Sequence, residues 1–325
     1  YLMNKIKVAI LGIVHQKGID FLRQKDFEVF EVKNFEPEYL KEKLEFVDGI
    51  LLRTSKLDKN ILKNCSKLKI ISRHGVGYDN VDADYLNQKK IALGITSKSN
   101  AVSVAEHVMT FFMYLTKNLS TSDKLVRDGN FKKKSELPDF FELYEKKVLI
   151  FGFGRIGKEV AKRCHGFGMK VYVYDPFLDN SVIEEHNCIP TGKKEGLSLA
   201  DYITIHLPLN EETRNFISKT EFNVMKKNSI VINTSRGGII NEIDLYQALN
   251  EKMIKSAGID VFESEPPDPN HPFFKLDNIL LTPHNAALTL ECRMRMSQEA
   301  AENIYFYLKE KNKLNYENLV NKNYL

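Results

Sequence analysis

At 325 residues the chain is about twice the length of a typical single domain, so two domains, each burying its own core, are expected. Hydrophobic residues at 43%, charged residues at 28%, and only 17 Gly and 10 Pro exclude collagen-like, low-complexity and wholly disordered chains. Lys plus Arg total 47 against 43 Asp plus Glu, so the net charge of +4 is a small remainder of interspersed charges and gives no reason to expect a nucleic-acid partner.

Along the chain, short apolar, β-branched runs at 6–13, 28–32, 48–52, 68–72 and 91–95 read as strands separated by charged, helix-length segments. The first run, Val8 to Val14, is as short as a signal peptide's apolar core and has no small-residue cleavage site behind it, which favours a strand. Pro37 suits the first turn of a helix, and Asp58 and Asp82 read as helix N-caps. Five strands with helical crossovers predict a parallel, doubly wound sheet. In Ser99 to Asn118, Val102, Ala105, Val108, Met109, Phe112 and Leu115 fall at helical spacing. Its apolar part, Val102 to Leu115, contains Glu106 and His107 and is shorter than the roughly 18 residues that span a bilayer, so no membrane partner is expected. Arg127 to Glu145, with Lys132, Lys133 and Lys134, reads as a solvated arm or loop, with a binding patch as the alternative.

A second alternation begins at 147–151 and continues through 169–174, 202–206, 229–233, 255–260 and 278–281. An amphipathic helix over Leu290 to Lys309 then returns the chain to its first half. The expected architecture is a discontinuous first domain, 1–99 and 289–325, with 100–288 inserted as a second α/β domain. Cys65, Cys164, Cys188 and Cys292 are far apart and form no C-x-x-C pair, so neither a metal site nor a disulfide framework is indicated, and a reducing, cytoplasmic setting fits.

The sharpest local signal is Gly152-Phe153-Gly154-Arg155-Ile156-Gly157, which directly follows the strand Val148 to Phe151 and opens a helix. Glycines there allow a tight turn and close backbone approach, so that a helix N-terminus can face a pyrophosphate. Asp175, 18 residues beyond Gly157 at the end of the next strand, can accept hydrogen bonds from an adenosine ribose. Gly152, Gly157 and Lys158 also satisfy most of a nucleotide-triphosphate loop, but Glu159 stands where a Mg²⁺-binding hydroxyl belongs. No Arg follows Asp175 to receive a 2′-phosphate, which favours NAD over NADP. At later strand ends come Asn233 to Gly238 with Arg236, Asp260 to Pro266 with Glu265, and Thr282-Pro283-His284. Converging at the carboxyl edge of one sheet, an Arg, a Glu and a His could bind a carboxylate, move a proton and hold the proton carrier in one tautomer. Taken singly, each also fits a solvated charge, a turn or a satisfied core residue.

These residues resemble the D-isomer-specific 2-hydroxyacid dehydrogenases, and most closely their phosphoglycerate dehydrogenase branch. The resemblance covers nearly the whole chain: Arg73-His74-Gly75-Val76-Gly77-Tyr78-Asp79-Asn80-Val81-Asp82, Ser99-Asn100 with Ser103 to Glu106, the 152–157 loop, Tyr174-Asp175-Pro176, His206 to Leu209 with Glu212-Thr213, Ser235 to Gly238, Gly258 to Phe262, Glu265-Pro266 and Thr282 to His284. It implies two doubly wound Rossmann- or flavodoxin-like domains, with the NAD domain inserted into the substrate domain. It implies a catalytic set of Arg236, Glu265 and His284. The NAD contacts it implies are Val76, Arg155, Ile156, Asp175, His206, Leu207, Pro208, Thr213, Thr234, Ser235, Arg236, Asp260, His284 and Ala286. The substrate contacts are Gly75, Val76 and Gly77 as a carboxylate cradle, Asn100 at the hinge, and Arg53 and Arg73, whose guanidiniums can reach one point and suit a second anion. His74, Leu207 and Asn285-Ala286-Ala287 depart from the family's commonest residues and leave the substrate open.

The expected activity is hydride transfer between NAD and C2 of a small 2-hydroxy or 2-keto acid with a distal anion, such as 3-phosphoglycerate, in a homodimer formed through the NAD domain. The alternatives are a hydroxypyruvate or glyoxylate reductase, a formate or phosphite dehydrogenase, which Glu265 argues against, and an NADH-sensing corepressor-like protein. Fewer than twenty residues follow Lys309, so no C-terminal regulatory domain is expected.

Overall fold

The computed structural model describes residues 5–325, which divide into two compact units, one made of the residues up to Asn100 with Leu288–Leu325 and the other of Ala101–Ala287. Asn100 and Leu288, expected in the inserted domain, belong to the first unit.

The first unit alternates β1 (Lys7–Leu11), α1 (Gln16–Gln24), β2 (Glu28–Val32), α2 (Pro37–Lys43), β3 (Gly49–Leu52), α3 (Lys59–Leu62), β4 (Ile70–Arg73), α4 (Ala83–Lys89) and β5 (Ala92–Gly94). The five strands are parallel and ordered β2-β1-β3-β4-β5. Apart from the edge strand β2, they are largely buried on both faces and read as continuous apolar runs, such as the fully buried Gly49–Leu52. The expected caps form: Asp58 accepts the backbone N–H groups of Asn60 and Ile61 at 2.9 and 3.2 Å, and Asp82 that of Tyr85 at 3.0 Å. On one face the C-terminal helix Leu290–Lys309 packs Ala300, Ala301 and Ile304 against Val8, Ile10 and Ile70. It also crosses α1 closely enough that a Cβ on Gly18 would lie 2.2 Å from the Ser297 carbonyl oxygen.

The second unit begins with α5 (Ala101–Lys117) and α6 (Leu119–Arg127), then runs β6 (Lys147–Phe151), α7 (Arg155–Gly166), β7 (Lys170–Tyr174), α8 (Asn180–Glu184), β8 (Ile189–Pro190), α9 (Lys193–Leu199), β9 (Tyr202–Ile205), α10 (Lys219–Phe222), β10 (Ile230–Asn233), α11 (Glu242–Asn250), β11 (Ser256–Ile259) and β12 (Ile279–Leu281). Its seven strands are parallel in the order β12-β11-β10-β9-β6-β7-β8. The order reverses at β6, so the edge beyond β6 and β9 is the switch point where such sheets bind ligands. One face packs Phe111 and Phe112 of α5 with Val160 of α7 over Val148 and Ile150. The other packs Leu197, Leu245 and Leu249 over Leu149, Ile203 and Val231.

Two elements escape the sequence pattern. Strand β8 is a two-residue edge strand containing a proline, too short to show alternation. Helix α6 buries none of its residues, so it carries no core-facing signal. The segment read as an arm or loop contains a 3-10 turn, Phe131–Glu136, with no buried residue. Because the Gly18 contact is with backbone, Gly18→Ala should cost about 1–3 kcal/mol through overpacking. A lowered urea midpoint is the expected result, and an unchanged midpoint would show that the helix pair yields freely.

Candidate active site

Because every strand of the second unit is parallel, the residues following β6, β9, β10, β11 and β12 share one edge. After β6, Gly152 has φ +87°, and a Cβ on it would lie 2.6 Å from the His206 carbonyl oxygen, so only glycine fits. A Cβ on Gly157 would lie 2.2 Å from the Gly152 carbonyl oxygen, which lets α7 start directly against the loop. Gly154, the N-cap of α7, has open space where a side chain would stand. Arg155 and Ile156 form the first turn of α7, Arg155 exposed and Ile156 half-buried. The Asp175 carboxylate braces this loop: Oδ2 accepts the Phe153 N–H at 2.8 Å and Oδ1 that of Phe177 at 3.1 Å.

His206, after β9, is half-buried, and desolvation of its ring pushes its pKa down to about 3, so the ring is neutral. Its Nε2 lies 2.9 Å from the Thr204 hydroxyl, while its Nδ1 is buried with no hydrogen-bond partner. The Thr234 hydroxyl, after β10, is equally buried and unpartnered. Thr213 folds the loop beyond Leu207 and Pro208, donating to the Pro208 carbonyl at 2.6 Å, and Ser235 is held by Asn233. A glycine with open space before a helix N-terminus, and two unsatisfied buried polar atoms along one edge, suit a bound dinucleotide.

At the opposite end of the same edge, Asp260 follows β11 with a fully buried side chain. Its carboxylate accepts the Thr282 hydroxyl at 2.5 Å, the Asn285 N–H at 2.9 Å and the Ala286 N–H at 3.1 Å. Its carbonyl accepts the His284 N–H at 2.8 Å. These bonds hold His284 at φ +50°, a left-handed conformation that side chains other than glycine seldom adopt. From there His284 Nδ1 lies 2.8 Å from Glu265 Oε2. Burial would raise the Glu265 pKa, but the His284 hydrogen bond and charge, the Phe262 N–H and the Arg236 guanidinium together hold it below the usual carboxylate range. An ionised carboxylate only accepts, so Nδ1 of His284 carries a hydrogen and Nε2 is left for proton exchange. Arg236 is half-buried, with Nη1 donating to the Ser235 carbonyl at 2.7 Å. Glu265 and His284 also line a cavity of about 390 Å³ floored by Phe262, Phe274 and Leu281.

In the first unit, Arg73 donates through Nε to the Gly77 carbonyl at 2.8 Å and through Nη1 to those of Leu52 and Arg53 at 3.0 and 2.5 Å. It therefore shapes the Gly75-Val76-Gly77 loop, in which Gly75 has φ +143° and open space at its Cβ position. Arg53 donates to the Ile13 carbonyl at 2.5 Å, and burial, then repulsion from Arg293, lowers its pKa. Beside it His74 is buried with Nε2 unpartnered, its pKa pushed down to about 4 by burial and by Arg53. Asn100 ends the first of the two segments that make up this unit.

Residues 109–286 match the family model described as "D-isomer specific 2-hydroxyacid dehydrogenase, NAD binding domain". A glyoxylate reductase of Thermococcus litoralis is 36% identical over 318 residues, covering 94% of each chain. The chain belongs to the D-isomer specific 2-hydroxyacid dehydrogenase family. A D-3-phosphoglycerate dehydrogenase of Archaeoglobus fulgidus is 34% identical over 92% of this chain, and the chain spans only 56% of that relative's length. Among solved structures, a D-lactate dehydrogenase of Aquifex aeolicus complexed with NAD and lactic acid superposes with a TM-score of 0.87 at 28% identity, over 97% of this chain and 99% of that one. The inserted unit, Ala101–Ala287, thus corresponds to the family's NAD-binding domain and is one of two α/β units, each with a parallel sheet.

His107 and Arg293 escaped the sequence reading. His107 stands three residues after Val104 and four before Phe111, in register with the buried side of α5, which was the available signal. Arg293 lies in the first turns of the C-terminal helix, where nothing in the local pattern separates it from a surface charge. For the Glu265 pair, a carboxyl whose pKa is lowered by folding adds stability above its ordinary value near 4.5, and this is lost as pH falls through the folded value. With the Glu265 side chain 38% exposed, solvent screening limits the effect to under about 1 kcal/mol. Glu265→Gln should therefore be slightly less stable than wild type in urea at pH 7, with the gap closing toward pH 3. A gap that is the same at both would mean that charge pairing is not its source.

Proposed function

We propose that the protein transfers a hydride between NAD(H) and C2 of a small 2-hydroxy or 2-keto acid that carries a distal anion, 3-phosphoglycerate being the example closest to the relatives. The observation behind the distal anion is the half-buried Arg53, with Arg293 close enough to repel it and the unpartnered Nε2 of His74 alongside. Two guanidiniums beside an unsatisfied imidazole nitrogen in a partly desolvated place favour a phosphate, sulfonate or second carboxylate.

NAD(H), for which the 152–157 loop, Asp175, His206 to Pro208, Thr213, Thr234, Ser235, Asp260 and Ala286 are the proposed contacts, supplies or accepts the hydride when bound. Protein groups handle the rest. In the second unit Arg236 orients the substrate carboxylate; in the first unit the Gly75 to Gly77 backbone and Asn100 are the proposed substrate contacts. His284, protonated at both nitrogens, gives the Nε2 proton to the C2 oxygen during reduction and takes it back during oxidation. Glu265, ionised and bonded to Nδ1, stabilises the imidazolium and fixes the ring plane.

A hydroxypyruvate or glyoxylate reductase is the second reading. It is favoured by the near-complete coverage of the Thermococcus litoralis glyoxylate reductase, against about half for the Archaeoglobus fulgidus phosphoglycerate dehydrogenase. A panel of hydroxypyruvate, glyoxylate, pyruvate, oxaloacetate and sulfopyruvate with NADH, and of 3-phosphoglycerate with NAD⁺, separates the two. On the first reading, acids with a distal anion have the higher kcat/KM. Arg53→Ala then loses about tenfold or more on those alone, as expected for a charge-assisted contact of about 1.5–3 kcal/mol. Preference for glyoxylate with no selective loss in Arg53→Ala would instead give the second reading.

The Asp175 carboxylate, with no Arg or Lys among residues 176–180, should favour NAD(H) over NADP(H). Asp175→Ala should raise the KM for NADH and narrow its advantage over NADPH. Equal use of both cofactors by the wild-type protein would contradict this.

The same reading includes a cytoplasmic homodimer formed through the second unit. It is supported by four buried cysteines that form no disulfide among the described residues and by α6, which buries none of its residues and leaves Leu119 and Val126 half exposed.

A further inference from the structure

His107 lies on α5, outside the catalytic set, yet it is bonded to the turn that holds His284. Its Nε2 is 3.1 Å from the Thr282 hydroxyl oxygen and 3.8 Å from Oδ1 of Asp260. The Thr282 hydroxyl donates its single hydrogen to Asp260 Oδ1 at 2.5 Å. The oxygen can then only accept from the ring, so Nε2 of His107 must carry a hydrogen. The bonds therefore run in one direction, from His107 Nε2–H to Thr282 Oγ1–H to the Asp260 carboxylate. That carboxylate in turn accepts the Asn285 and Ala286 N–H groups that set His284 at φ +50°. The His107 ring is edge-on to Phe111 at 4.7 Å between centroids, which limits its rotation. Burial lowers its pKa against the opposing pull of Asp260, in keeping with a neutral ring.

We infer that His107 is a positioning residue, acting through Thr282 and Asp260 to hold the strained His284 turn in the geometry that proton transfer needs. The inference rests on the proposed role of His284. A chain of donors and acceptors with a fixed polarity has one low-energy arrangement, and removing its first donor leaves the Thr282 hydroxyl short of a bond and free to turn from Asp260.

The test compares wild type, His107→Phe, His107→Gln, Thr282→Val and the double variant His107→Phe/Thr282→Val in NADH-linked reduction of the keto-acid panel. A shift of the His284 turn by about 1 Å should lower kcat about tenfold to hundredfold in His107→Phe and Thr282→Val, with the KM for NADH changed less than about threefold. Because both act through one chain of bonds, the double variant should be little slower than either single variant. His107→Gln, which presents an N–H near the Nε2 position, should recover most of kcat. A measurement independent of turnover is the ¹⁵N spectrum of histidine-labelled wild type at pH 7, assigned with His107→Gln, which should show His107 as the neutral Nε2–H tautomer. An Nδ1–H tautomer, an imidazolium, multiplying effects in the double variant or wild-type kcat in His107→Phe would overturn the relay alone. A wild-type protein that reduces none of the acids would overturn the functional reading and the catalytic consequence with it, while the tautomer still decides the hydrogen-bond direction.

Discussion

The buried carboxylate of Asp260 is the constraint on which the β11–β12 end of the second unit's sheet edge depends. It sits at the end of β11, fully buried, and three donors from the segment after β12, Thr282, Asn285 and Ala286, converge on its two oxygens. A buried charge is tolerated only when its lone pairs are filled, so the 282–286 segment must wrap around it. Wrapping forces His284 into a left-handed backbone conformation and aims its ring at Glu265. The strain at His284 and the burial at Asp260 are thus two sides of one arrangement, each unfavourable alone and stable together.

The other end of the same sheet edge solves a different problem with backbone instead of charge. Between β6 and α7 the chain turns so tightly that carbonyls stand where side chains would be at Gly152 and Gly157. Asp175 then ties the turn to the end of β7. In the first unit Arg73 does comparable work for the Gly75 to Gly77 loop, with three donor contacts to main-chain carbonyls. Arg53 keeps a more strained setting, close to Arg293 and to an uncharged His74, and so is the better candidate for meeting an anion.

Much of this was legible in the sequence because parallel strands buried on both faces are written as unbroken apolar runs. Lys147–Phe151, Glu28–Val32 and the C-terminal helix Leu290–Lys309 stand where the pattern puts them. Glycine spacing exposed the 152–157 loop, since few other reasons exist for three glycines between a strand and a helix. What stayed hidden lacks a local signature. Helix α6 has no buried face, β8 is two residues long, and the two arginines expected to converge differ in their contacts because Arg73 faces carbonyls from Leu52, Arg53 and Gly77. His107 and Thr282 are 175 residues apart, a pairing that only the packing of α5 on the sheet brings about.

The central claim is that one stereospecific hydride transfer at C2 is coupled to proton exchange at His284. Incubating the protein in ordinary water with NADH carrying deuterium at both C4 positions and a keto acid from the panel other than glyoxylate, then examining the product by NMR and chiral chromatography, tests it directly. The account predicts a D-2-hydroxy acid with deuterium at C2 and a solvent hydrogen on its oxygen. A product with hydrogen at C2, or the L-isomer, would contradict it.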